Sequence, residues 1–266
     1  VVLSIFYFQS GVAQISLGGV DIPYTQDFNT LASGGGTGST MPASWVFLET
    51  GAGSNGTYAV DAGASSTENT YSYGTGADTD RALGQINTAT FSTTAGASFI
   101  NNTGVTINSL LIQYFGEQWR LGTLGRADRI DFQYSTDATA INNGTWTDFD
   151  GLDFTGPNQA GSVGALDGNA PANRRLIAKT ITGLSIANGT TIWIRWNSFE
   201  ATSNDDGLAI DDFVLTANPS LHYTVNNNGV SLSITDTDGN GEELYVSQQG
   251  TSIRFFTPGR TYSLNA

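Results

Sequence analysis

The chain contains no cysteine, which excludes disulfides, thiolate metal sites and cysteine nucleophiles together. Its one histidine, His222, lies near the C-terminal end. The residues before it therefore cannot run Ser-His-Asp catalysis or hold a histidine-ligated metal. Charge is scarce too: 13% of residues are charged, against about a quarter in an average soluble domain. Ten residues are basic, with Lys179 the single lysine, against 24 acids, giving a net charge of −14 and a pI near 4.1. That balance excludes a nucleic-acid binder that works through a basic phosphate-binding face. No apolar stretch approaches the roughly 18 residues of a spanning helix, so membrane insertion is not expected.

What is present is enough for a core. Hydrophobic residues make up 39% and aromatics 11% of 266 residues, which argues against wholesale disorder. The length suits one large β domain or two smaller ones. Residues 1–14 open with the apolar run Val1 to Phe8 and close on Gly11-Val12-Ala13, small residues at the spacing of a signal-peptidase site. The run is too short to span a bilayer, so a secretory signal, cut short upstream, is expected there. The alternative is a buried first strand. Marked acidity with almost no lysine suits a salty extracellular setting or a cell surface.

Helical periodicity is almost absent. Short β-branched and aromatic runs recur between Gly, Asn, Asp and Ser clusters, which predicts an all-β, antiparallel sandwich over residues 15–217. Expected strands are 45–49, 57–61, 70–73, 98–101, 106–116, 129–135, 146–149, 176–181, 190–197 and 208–216. Alternation is cleanest in two. Ile130, Phe132 and Tyr134 share one face of the first; Ile192, Ile194 and Trp196 share one face of the second, leaving Trp193 and Arg195 opposite. The triplet Asn-Gly-Thr at Asn55, Asn143 and Asn188 formally matches a glycosylation acceptor but is first a turn signal. Ala217-Asn218-Pro219-Ser220 marks a boundary, after which 218–266 looks like the start of a second β module.

Two acidic motifs invite a cation. Asp205, Asp206, Asp211 and Asp212 lie within eight residues, and calcium takes six to eight oxygens from carboxylates and carbonyls. The alternative is that these aspartates cap a loop and flank a sheet edge. Asp236-Thr237-Asp238-Gly239-Asn240-Gly241 begins like an EF-hand loop, but Ser247 stands where the closing Glu belongs, so a hairpin turn is expected. Aromatic and polar side chains suggest a second kind of site. Glu117, Trp119, Arg120, Trp193 and Arg195, with Gln113, Arg129, Asp131 and Gln133, could form a surface on which sugars stack and hydrogen-bond. The alternative is that Trp119 and Trp193 cover the edge of a core. Glu117 and Glu200 could also act as the paired carboxylates of a glycoside hydrolase.

Several blocks recur in a family-like order: Pro23 to Leu31, Met41 to Trp45, Asp80 to Gly84, Gly116 to Arg120, Arg126 to Ser135 and Asp205 to Phe213. Together they resemble a bacterial exported module found near the N-terminus of large secreted or surface-anchored proteins, some with a downstream extracellular nuclease domain. The resemblance implies a jelly-roll sandwich of the lectin-like and carbohydrate-binding kind, with further domains in the same parent chain. It also implies a structural calcium tying the first strand to the last, with Asp27 and Asp211 or Asp212 as its ligands. The expected function is a non-catalytic secreted module that binds glycan or a cell-surface polysaccharide. A structural spacer in a large adhesin is the alternative, and it expects Trp119 and Trp193 to be buried and no groove to exist.

Overall fold

The computed structural model describes residues 14–199 and 201–218, together with five strands further on. The N-terminal segment, Glu200 and residues 237–244, Asp238 and Asn240 among them, lie outside the described residues. Among the described residues, sixteen strands precede residue 218. They are β1 (Ile15–Leu17), β2 (Pro23–Gln26), β3 (Thr37–Gly38), β4 (Trp45–Gly51), β5 (Tyr58–Asp61), β6 (Asn69–Tyr73), β7 (Ala82–Ile86) and β8 (Phe91–Asn101). Then follow β9 (Ile107–Leu121), β10 (Arg129–Ser135), β11 (Thr147–Asp148), β12 (Phe154–Thr155), β13 (Gly164–Ala165), β14 (Arg174–Ile186), β15 (Thr191–Ser198) and β16 (Gly207–Ala217).

They form two sheets packed as a β-sandwich. Sheet A runs β1-β8-β15-β10-β11, with β4 also on β8 and β12 also on β10. Sheet B runs β13-β9-β16-β7-β6-β5-β3, with β14 on β9 and β2 on β16. From β7 onward the long strands alternate between the sheets, the wrapping of a jelly roll. The expectation of purely antiparallel pairing is corrected at two places: β1 runs parallel to β8 and β5 parallel to β6. β1 and β8 are far apart in the chain, and residues 62–68 rather than a tight hairpin join β5 to β6, so no two-residue turn imposes antiparallel pairing at either place. Further on, β17 (Leu221–Asn227), which carries His222, pairs with β18 (Leu232–Asp236) and β21 (Thr261–Asn265), and β19 (Tyr245–Gln249) pairs with β20 (Ser252–Phe256).

The core between the sheets follows from alternation. Ile192, Ile194 and Trp196 of β15 and Ile130 and Phe132 of β10 point inward from sheet A. Leu110, Ile112 and Tyr114 of β9 and Phe213 and Leu215 of β16 meet them from sheet B. Trp196 is the hub, with Tyr114, Phe132 and Phe213 edge-on at 5.3, 5.3 and 5.7 Å and Trp45 stacked at 6.0 Å. On β8, between these two tryptophans, Ala97 faces Trp45 and Ala95 faces Trp196 across the ladders. Small residues there leave room for the rings. Lys179 sits exposed in the middle of β14, which among the described residues pairs only with β9, and a charge there discourages pairing with another chain.

Candidate functional site

The residues expected to form one surface occupy two. Trp193 and Arg195 point outward from sheet A, whereas Glu117 and Trp119 point outward from sheet B, on the far side of the sandwich.

On sheet B, Glu117 and Trp119 are closed off from solvent, at 0% and 1% exposure. One register row runs Arg174, Glu117, Ala209, Gly84, Tyr71 and Ala59. Above it the rings of Tyr71, Tyr73 and Trp119 stack at 4.8 and 5.8 Å. Gly84 makes this stack fit, since a Cβ there would lie 2.4 Å from the Tyr73 ring. Gly168 closes the loop over Trp119 in the same way, because its Cβ would stand 2.2 Å from the indole nitrogen. Arg120 turns aside and donates to the carbonyls of Gly63 and Ala64.

Carboxylates gather at one end of this face. Glu117 accepts from the Trp119 indole N–H at 3.0 Å, and Arg174 approaches its other oxygen at 3.7 Å. Asp211 is 2% exposed, and its Oδ1 makes no hydrogen bond. Burial pushes Glu117 up to about 7, and burial together with the nearby Glu117 and Asp212 charges pushes Asp211 up to about 9. A β-bulge after Asp211 puts Asp212 at φ 47°, outward against Arg174 at 3.4 Å. The pairing of Gln26 with Phe213 brings Asp27 beside this bulge, exposed, where it caps its own turn through the Asn29 N–H at 3.1 Å.

The other two aspartates lie elsewhere. Asp206 accepts from the Gly122 N–H at 2.6 Å and from Gln118 at 2.7 Å, while its own N–H donates to Asp128 at 2.6 Å. Arg126 bridges Asp128 and Asp205 at 2.7 and 3.3 Å. Burial lifts Asp206 to about 6. This network, which sequence reasoning assigned to a cation, ties three loops together with protein partners. The five aspartates thus do not meet at one point, and among the described residues no three Asp, Glu or His side chains form a ready metal-ligand set.

The outer face of sheet A is different. Trp193 is again buried, at 3% exposure, under Ala138 and Ile141 of the loop before β11. Beside it lies an open polar strip. Thr94 donates to Asn197 at 2.7 Å, and Asn197 and Arg195 both donate to the Gln133 oxygen at 2.9 and 2.7 Å. The Gln133 amide nitrogen donates in turn to Asp148. Arg195 also holds the Ile141 carbonyl at 2.8 Å, and its guanidinium lies 3.8 Å from the centre of the half-exposed Trp146 ring. At the open end Arg129 pairs with Asp131 and leans on the exposed Phe199. Thr94, Asn197 and Gln133 are held by one another and by neighbouring side chains, while Arg195 also reaches the covering loop.

Sequence reasoning picked out Gln133, Asp131, Arg129 and Arg195 of this strip and missed Thr94, Trp146, Asp148 and Asn197. Asn197 was within reach, since it continues the alternation of Trp193 and Arg195. Trp146 was not, because its ring position depends on the Asn143-Gly144 turn, whose carbonyl accepts the indole N–H at 2.7 Å. All three Asn-Gly-Thr triplets are indeed turns, with Gly56, Gly144 and Gly189 at φ 70°, 80° and 81°. The hydrolase pair cannot be assembled around Glu117, whose carboxylate is sealed; Glu200 lies outside the described residues.

A groove of about 390 Å³ follows the free edge of β4, lined by Ser39, Met41, Phe47, Leu48, Glu49 and Gly56 among others. Among the described residues no helix is long and apolar enough to cross a membrane.

No family model matches the chain, and no curated protein matches it. Solved structures do. The K3 cleaved adhesin domain of Lys-gingipain from Porphyromonas gingivalis is 14% identical over 73% of this chain and 97% of that one, with a TM-score of 0.42. The carbohydrate-binding module TmCBM61, solved with β-1,4-galactotriose, is 10% identical over 52% and 71%, with a TM-score of 0.28. The enzymatically active domain of tailspike protein 4 of bacteriophage CBA120 is 10% identical over 66% of this chain, with a TM-score of 0.35; the match spans 19% of that domain's length.

Proposed function

We propose that this chain is a non-catalytic, extracellular or surface-displayed module that binds glycan on the outer face of sheet A. The supporting observation is the hydrogen-bonded strip Thr94-Asn197-Gln133-Arg195-Asp148 beside the half-exposed Trp146. Planar amides, a carboxylate and a guanidinium match sugar hydroxyls as donors and acceptors, and the indole offers a face for sugar C–H groups. Because the strip is already fixed by its own bonds, little side-chain freedom is lost when a ligand docks.

A structural calcium belongs to the same proposal, at the Asp27, Asp211 and Asp212 end of sheet B. What supports it is a buried Asp211 oxygen without a hydrogen bond, beside Glu117, where one arginine faces several carboxylates. A divalent cation would neutralise this excess and tie β2 to β16. Asp205 and Asp206, already bonded to protein groups, are left out of this site.

The test is depletion of the full chain from solution by insoluble β-1,4-glucan, xylan, mannan and galactan, in calcium and then in chelator. Retention on one class, lost in Trp146→Ala with the fold intact, is the expected result. The burial of Trp119 and Trp193 favours a second reading, the structural spacer. Failure of the folded chain to bind any of these glycans would move the assignment there.

A further inference from the structure

Given a glycan on sheet A, the face also says how the glycan lies. Four residues on four neighbouring strands stand in one register row. Leu48 of β4 faces Thr94 of β8, Thr94 faces Asn197 of β15, and Asn197 faces Asp131 of β10. All four are half-exposed. At about 4.8 Å per strand spacing the row is about 14 Å long, perpendicular to the strands. One side of it is walled by Arg195, Trp146 and the loop packed on Trp193. Its Leu48 end opens into the groove of about 390 Å³ beside β4, for Leu48 lines both.

The groove offers Ser39, Met41 and the flanks of Val46 and Phe47. Its carboxylate, Glu49, is already occupied by the backbone N–H groups of Asn55, Gly56 and Thr70 at 3.0, 3.2 and 3.1 Å. Along the strip two arginines, Arg129 and Arg195, stand against two aspartates, Asp131 and Asp148, so the track is balanced in charge. The whole chain carries −14, which disfavours a polyanion approaching it.

We propose that the ligand is an internal stretch of a neutral polysaccharide chain, running across the strands from Asp131 through Asn197, Thr94 and Leu48 into the groove beside β4. A row of this length, continued by a groove, contacts several successive sugars. A pocket for one terminal sugar would instead be closed at one end. This inference rests on the glycan proposal but fails separately from it.

The test uses calorimetry of the full chain with a homologous series, from monosaccharide to hexasaccharide, of whichever neutral polysaccharide retains it. Affinity is expected to rise at least about tenfold between disaccharide and hexasaccharide. Ser39→Trp, a bulky change at an exposed groove position, is expected to remove the gain of the longest ligands and leave disaccharide binding alone. Equal affinity for monosaccharide and hexasaccharide would overturn the proposal while leaving a glycan site standing. So would undiminished hexasaccharide binding by Ser39→Trp, or preference for a uronate-rich or sulfated chain. Failure of all the sugars would instead remove the underlying glycan assignment.

Discussion

Trp119 and Trp193 stand on the outward faces of opposite sheets, and both are shut away from solvent, yet their surroundings differ in kind. Around Trp119 the sheet B face is stacked with tyrosines, roofed by the Gly168 loop and loaded with sealed carboxylates. Around Trp193 the ring and its register partners Ser98 and Ser135 are covered, and the polar strip beyond them keeps its side chains half-exposed and bonded to one another. An outward tryptophan therefore does not mark a binding face. What marks one is whether the polar neighbours are satisfied by each other at the surface or by backbone and loops beneath it.

The largest expected effect is on the sealed face. Trp119→Ala removes the end of a three-ring stack and should destabilise by about 3–5 kcal/mol, seen as a clear fall in melting temperature. Glycan retention measured below the new melting point should be unchanged. If retention vanished while the fold held, the division of labour between the faces would be broken.

Next comes the carboxylate end of sheet B. Glu117 and Asp211 are raised to about 7 and 9 in the folded chain, above their ordinary values near 4. The folded state thus holds their protons more tightly than the unfolded one. Their contribution is present below about pH 4 and is lost as pH rises through 7 and 9, on the order of a few kcal/mol. In chelator the melting temperature should fall from pH 5 to pH 9, and Asp211→Asn should flatten that fall. Calcium added at pH 8 should raise the melting temperature of the parent chain and not of Asp211→Asn. A chelator-insensitive profile would remove the cation from this site.

The smallest effect concerns an edge. Lys179→Val on β14 should change stability by less than about 0.5 kcal/mol and leave binding intact. It should nonetheless increase self-association at high concentration, read by light scattering, because the exposed edge loses its charge.

Much of the fold was legible because β-branched alternation is local. Arg129–Ser135 and the inward Ile192, Ile194 and Trp196 follow directly from period-two patterning. The strand Ala82–Ile86 and the first half of Phe91–Asn101 escaped notice, since their Gly84, Ala95, Gly96 and Ala97 are small for reasons that lie on neighbouring strands. The site was harder. Dense motifs such as Gly116 to Arg120, Arg126 to Asp128 and Asp205-Asp206 drew attention, and the structure employs them in building the sandwich. Arg81, in another such block, is buried with its Nε on the Ser72 hydroxyl at 2.9 Å and its N–H on Asn29. The strip on sheet A draws on residues up to 103 apart in sequence, such as Thr94 and Asn197, which only the register brings together.

The most direct measurement compares one alanine substitution on each face. Gln133→Ala opens the centre of the strip on sheet A, and Arg120→Ala removes a side chain of sheet B that donates to the Gly63 and Ala64 carbonyls. Both full-length variants would be tested for retention on the glycan that binds the parent chain, after their folding is checked by melting temperature. Retention should fall at least about tenfold in Gln133→Ala and stay at the parental level in Arg120→Ala. Loss in Arg120→Ala with full retention by Gln133→Ala would contradict the assignment of the binding face to sheet A.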